Sequence, residues 1–152
     1  MIQRLQSVYL LLAAALVVTS MFMPMATIVT LEDPMVLSAM GAYTPGADSK
    51  LLFTMWPLTI VLGLSALLAL ISIFLYRNRP QMRVCNFTAL LLIAFYVVLG
   101  IYIYDLYIAL NGESLQLQAA LSMPVVALVL NYIAYRRIRA DERLVRSADR
   151  LR

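Results

Sequence analysis

The arginines are the residues of this chain best placed to do chemistry, and that chemistry is the binding of anions. Arg139, Arg143, Arg146 and Arg150 fall at spacings of 4, 3 and 4, which sets them on one face of a helix. Arg136 and Arg137 precede them, and Arg77, Arg79 and Arg83 form a second basic cluster. Leu144, Ala148 and Leu151, with Val145 beside them, line another face of the same segment. Glu142 stands four residues before Arg146, the favourable order for an ion pair along a helix. Such a basic amphipathic helix suits an anionic phospholipid leaflet or the acidic surface of a protein partner. The plainest reading ranks first: the arginines fix topology and touch lipid headgroups. Specific lipid or partner binding follows, and nucleic acid comes last, because basic patches are unspecific.

Other groups carry less. Met21, Met23 and Met25 offer soft thioethers that suit Cu(I). Residues two apart share a face only in an extended chain, however, and methionine is an ordinary filler of irregular apolar gaps. Asn86 and Asn131 can bond across a helix bundle, which is how polar groups commonly hold apolar helices together. Asp105 adjoins a long apolar stretch at its end, not its middle, whereas a proton-coupled pump is expected to bury its carboxylate deeper, so nothing specific supports transport. Cys85 is the one cysteine, open to acylation or simply buried. With no histidine in the chain, the remaining groups do not converge into a nucleophile–base pair or a metal centre. We therefore expect neither an enzyme nor a bound cofactor.

The elements that position these residues follow from composition. The chain has 152 residues, 63% hydrophobic and 13% charged. Soluble chains carry about 25% charged residues, so a water-covered surface is out of reach. A membrane-crossing helix needs about 20 apolar residues, and four stretches qualify: 5–30, 51–76, 84–104 and 115–135. None contains a charge. The external loop is 31–50 and the basic tail 136–152.

Arg4, the 77–83 cluster and the tail hold 11 of the 12 bases, leaving Lys50 across the membrane. Basic loops stay inside, so both termini are expected in the cytoplasm. Trp56, Tyr102, Tyr104 and Tyr107 would form the outer aromatic belt. Tyr9, Tyr76, Tyr132 and Tyr135 would form the inner one. The first span lacks the short polar region and small-residue site of a signal peptide and is expected to be retained. In the external segment from about Pro24 to Lys50, the β-branched run at 26–31 can pair with 35–38 as a small hairpin. Asn111-Gly112 reads as a turn. Small residues (Ala13, Ala14 and Ala15; Gly63, Ser65, Ala66 and Ala69) allow close helix approach. The expected fold is all-α: a four-helix transmembrane bundle with a small external loop that can form a β-hairpin, and a cytoplasmic C-terminal helical extension.

Three segments also resemble a known family. They are MIQRLQSVYLLLAA at 1–14, FLYRNRPQMRVC at 74–85 and DERLVRSADRLR at 141–152. Together they are similar to small four-span inner-membrane proteins of Bacteroidetes that carry a domain of unknown function. The resemblance covers the whole chain. It implies a multi-pass protein of a bacterial inner membrane and brings no catalytic or binding residues. Pro80 departs from the family's usual basic connection and bears on the local loop shape.

Two functions are weighed on these grounds. The first is a non-enzymatic scaffold or accessory subunit that binds a partner or anionic lipid through its cytoplasmic arginines. The second is a small transporter or Cu(I)-handling protein that uses the external methionines. The absence of intramembrane charge favours the first.

Overall fold

The computed structural model describes residues 2–30, 34–45, 51–75 and 81–149. Helix α1 (Ile2–Phe22) leads into strands β1 (Pro24–Val29), β2 (Met35–Ser38), β3 (Gly41–Tyr43) and β4 (Leu51–Thr54). Helices α2 (Trp56–Phe74) and α3 (Gln81–Ala109) follow. Strand β5 (Ser114–Leu117) and a 3-10 turn (Ala119–Ser122) then lead into α4 (Met123–Asp149). Four helices are long and apolar enough to cross a membrane. The expectation of an all-α chain with at most one hairpin is corrected: the strands form a five-stranded antiparallel sheet in the order β4-β3-β2-β1-β5.

Prolines set where three of the helices meet this sheet. Proline disfavours a helical conformation in the residue before it, and α1 stops at Phe22, two residues ahead of Pro24. Pro57 and Pro124 occupy the first turns of α2 and α4, where a missing N–H breaks no helical bond. The expected spans at 5–30, 51–76 and 115–135 are therefore too long at this end: their margins are β1, β4 and β5. The expected hairpin is present, with Ala26 opposite Leu37 and Ile28 opposite Met35. The register shifts between Pro24 and Ala26, and Met25 and Ala26 are both wholly buried. A bulge is what allows neighbouring residues to face the same side.

Helix α3 runs beyond the expected end at residue 104. Its 29 residues rise about 43 Å at 1.5 Å each. The final turns stand beside the sheet, where Leu106 is buried in the same apolar cluster as Met25, Ile28 and Leu37. The helix closes at the expected turn: Asn111 takes a left-handed φ of 46°, and Gly112 N–H donates to Tyr107 O.

Each helix buries a narrow seam with spacings of 4 and 3. On α1 the seam is Gln6, Leu10, Ala13, Val17 and Ser20. On α2 it is Leu58, Leu62, Ser65, Ala69 and Ser72, and on α3 Gln81, Cys85, Thr88, Leu92, Phe95 and Leu99. On α4 Ala127, Asn131, Ala134 and Ile138 take this role. A seam of period 3.5 is the geometry of shallow-angle helix packing. Its members are mostly small or polar, while Leu11, Leu12, Ile60, Leu67, Leu90, Ile93 and Val129 point outward.

Candidate functional site

The bundle has two unlike ends. At the sheet end, Trp56, Tyr104, Asp105 and Glu113 are exposed. At the other end α4 continues as helix to Asp149, in line with the expected helical tail. Its start is tied to the bundle: Gln6 Nε2 donates to Asp141 Oδ2 at 2.7 Å, and Ile138 is buried with Leu10 and Ala134. No Gly or Pro interrupts α4 after Pro124, and without such a breaker a helix has no cause for a sharp bend. The tail therefore extends the bundle and does not turn across its end.

The arginines sit on this continuation. Arg136, Arg137, Arg139 and Arg143 are exposed on α4, and Arg83 is exposed in the first turn of α3. Among the described residues none of these five is held in an ion pair. Of Arg146 only the backbone, within α4, is described. Arg77, Arg79 and Arg150 lie outside the described residues.

Helices α3 and α4 run antiparallel, and one bond sets their level. Asn131 Nδ2 donates to the backbone carbonyl of Cys85 at 2.8 Å. Arg83 lies two residues before Cys85 and Arg136 five after Asn131. At 1.5 Å per residue, both therefore stand tailward of that bond, by about 3 and 7.5 Å. Nearer the sheet, Tyr96 Oη donates to Leu121 O at 2.6 Å. Around the Asn131 bond α3 and α4 line a groove of about 390 Å³, walled toward the sheet by Ala89, Ile93, Leu128 and Val129 and, at and beyond the bond, by Asn86, Asn131, Tyr132 and Tyr135. Asn131 is 2% exposed, and its Oδ1 has no hydrogen-bond partner among the described residues.

Residue types alone did not reveal this groove. Asn86 and Asn131 read as a pair that bonds across the bundle, yet only Asn131 does so, and to a backbone carbonyl. Asn86 is exposed on the groove wall. The signal was the polar run Asn131, Tyr132 and Tyr135 on a stretch otherwise apolar back to Val125.

The methionines are not gathered at one point. Met25 is wholly buried on β1, Met23 is exposed at the bend before it, and Met21 packs partly buried near Gly63 of α2. Among the described residues no group of three His, Cys, Asp or Glu side chains can hold a metal ion. Cys85 is buried, with its Sγ 3.2 Å from Ser72 Oγ. Gln81 Nε2 donates to Ser72 O at 3.1 Å, satisfying a carbonyl in the last turn of α2.

These features define a helical bundle whose outward faces are large and apolar, capped by a sheet at one end and by arginines at the other. Over residues 2–151 the chain matches the family described as "Domain of unknown function (DUF4293)", and it belongs to that family. No curated protein matches it.

Proposed function

We propose that this chain is a non-enzymatic membrane module of a bacterial inner membrane, with the sheet outside and both termini in the cytoplasm. Its arginine face binds anionic lipid headgroups or the acidic surface of a protein partner, and the module acts as a scaffold or accessory subunit. One observation carries this reading. Arg83, Arg136, Arg137, Arg139 and Arg143 are all exposed at one end of the bundle, while Asp105 and Glu113 are exposed at the other. Basic residues concentrate on the cytoplasmic side of membrane proteins. Each contributes about 1 kcal/mol of attraction to an anionic surface. Asp141, Glu142 and Asp149 offset part of that attraction.

The sides of the bundle support the same placement. Apolar residues crowd its outward faces, and the seams between helices hold alanine, serine, threonine and glutamine. Small and polar contacts hold helices together in lipid, where apolar surface gives no drive to associate.

The test is crosslinking and purification from native membranes, with lipids and proteins identified in the same eluate. Wild type is expected to carry anionic lipid or a defined partner, and R83Q/R136Q/R139Q/R143Q to lose it. Identical eluates from the two would refute the arginine face as a binding surface.

A further inference from the structure

The sheet is wider than the bundle it caps. One row of opposed residues crosses all five strands: Phe53, Ala42, Leu37, Ala26 and Leu117. Residues directly opposite one another share a face, and the middle three belong to the buried apolar cluster under the sheet. The two ends face the same way yet stand in the open, Phe53 51% exposed on β4 and Leu117 61% exposed on β5. Leu115, opposite the wholly buried Ile28, is 40% exposed. Side chains of the core face therefore lie beyond the helices at both edges.

On β5 the backbone is unpartnered as well. Gln118 faces Met25 and donates to its carbonyl at 2.9 Å, so by the alternation of an antiparallel ladder Gln116 and Ser114 also turn their N–H and C=O to β1. Leu115 and Leu117 turn theirs to the free side, where no strand pairs among the described residues. Lipid chains would cover these leucines but bond none of these groups, whereas an added strand does both. Proteins commonly guard such an edge with a charge, a proline or a bulge. The β4 edge has a register shift at Ala42/Tyr43 and Lys50 just before it in the chain. Ser114-Leu-Gln-Leu117 carries no charge and no proline.

We propose that β5 is a dimer edge, pairing antiparallel with β5 of a second copy of the chain about a two-fold axis at Gln116. Leu115-Gln116-Leu117 reads the same in both directions, so each Leu115 meets Leu117 of the other copy and each such pair exchanges both backbone bonds. A two-fold interface of this kind is self-complementary and closes on itself. The bundles clear one another. Five strand spacings set the two sheet centres about 24 Å apart, and helices packed roughly 8–10 Å apart make a bundle about 20 Å across. The two-fold axis of a continuous sheet runs along its normal. The inward face of this sheet clusters with Val17, Leu58 and Ala127 near the sheet ends of α1, α2 and α4, so that normal follows the bundle. Both copies therefore stand the same way up, as two chains in one membrane must. The pairing does not depend on what the arginines bind.

Disulfide formation catalysed by copper phenanthroline, on the full-length chain in native membranes, tests it. Paired this way, the two Gln116 Cα atoms lie about 4.5 Å apart, within the ~7 Å reach of a disulfide. Ser114 faces Gln118 of the second copy, so the two Ser114 Cα atoms lie about 14 Å apart. Q116C is expected to cross-link to a dimer about tenfold faster than S114C or more, although both positions are exposed and share a face of β5. The native Cys85 is buried and should stay silent. Leu117 N–H points away from β1, so L117P removes no bond of the existing ladder. Q116C/L117P is expected to lose the cross-link and keep the thermal midpoint of Q116C; a folded Q116C/L117P that still cross-links overturns the pairing. The comparison of Q116C with S114C involves no strand-breaking change, so misfolding of L117P cannot decide it. Equal cross-linking of Q116C and S114C, or none of Q116C, overturns the proposal. A Q116C cross-link to a different protein gives the edge to that protein's strand and overturns it too.

Discussion

Gln6 and Asp141, 135 residues apart in the chain, meet through a 2.7 Å hydrogen bond that joins the first turns of α1 to the tailward half of α4. Gln6 is almost wholly buried, so its amide depends on this partner. The bond holds the start of the tail against α1, and with it the helix that carries Arg136 to Arg143. D141A is therefore expected to destabilise the protein by about 1–3 kcal/mol, the cost of orphaning a buried polar group. Amide exchange over residues 138–149 should accelerate in D141A. Unchanged exchange there would mean that the tail is held by other contacts.

Gly112 is fixed by lack of space. A Cβ at that position would lie 2.8 Å from Tyr107 Cδ2 and 2.9 Å from Ile28 Cγ2. The Tyr107 ring and the Ile28 methyl would both have to shift to admit it. Overpacking of this kind costs roughly 1–3 kcal/mol. G112A is expected to lower the midpoint of thermal unfolding in detergent, whereas G100A, with nothing within 4 Å of its added Cβ, should not.

The seams predict a contrast on a single helix. Ala127 and Ala134 of α4 are wholly buried, and Val126 is about half exposed. A127L and A134L force volume into closed packing and should each destabilise by about 1–3 kcal/mol. V126L faces outward and should stay within about 0.5 kcal/mol of wild type. Equilibrium unfolding of the three variants measures this. Equal effects would mean that the seam is misplaced.

Tyr96 Oη and the Leu121 carbonyl join α3 to the turn before α4 through one short bond. Y96F removes the hydroxyl and leaves the ring packed edge-on to Phe95, at an interplanar angle of 73°. Hydrogen bonds between membrane helices average about 0.6 kcal/mol, so the expected loss is small. Unfolding of Y96F against wild type checks it, and a loss of several kcal/mol would show that this bond organises more than one local contact.

What the sequence disclosed depended on contrast. The helices were legible because their apolar runs are long, and the ends of the bundle because charge is scarce and lies at the ends. The hairpin was legible from the β-branched run Thr27, Ile28, Val29 and Thr30, which disfavours helix. Strands β4 and β5 were not, because Leu51-Leu-Phe-Thr54 and Ser114-Leu-Gln-Leu117 adjoin apolar helices and merge with them in hydropathy. Pro57 and Pro124 held the missing information, since each marks a first helical turn. The buried seams were hidden for a related reason. Both faces of these helices are apolar, so hydrophobicity has little period, and the period lies in size and polarity: Ser65, Ala69 and Ser72, or Ala127, Asn131 and Ala134. The groove was illegible from one chain position at a time, because it needs Asn131 level with Cys85, a relation only the packing of α3 on α4 creates.

The central claim is that the bundle spans a membrane with the sheet outside and the arginine end in the cytoplasm. Single-cysteine labelling with a membrane-impermeant maleimide in spheroplasts tests it most directly. Gln116 on β5 and Ala140 on α4 are both exposed, and the native Cys85 is buried and should stay silent. Q116C is expected to label in intact spheroplasts, and A140C only after the membrane is opened. Labelling of A140C without lysis, or of Q116C only with it, would contradict the account.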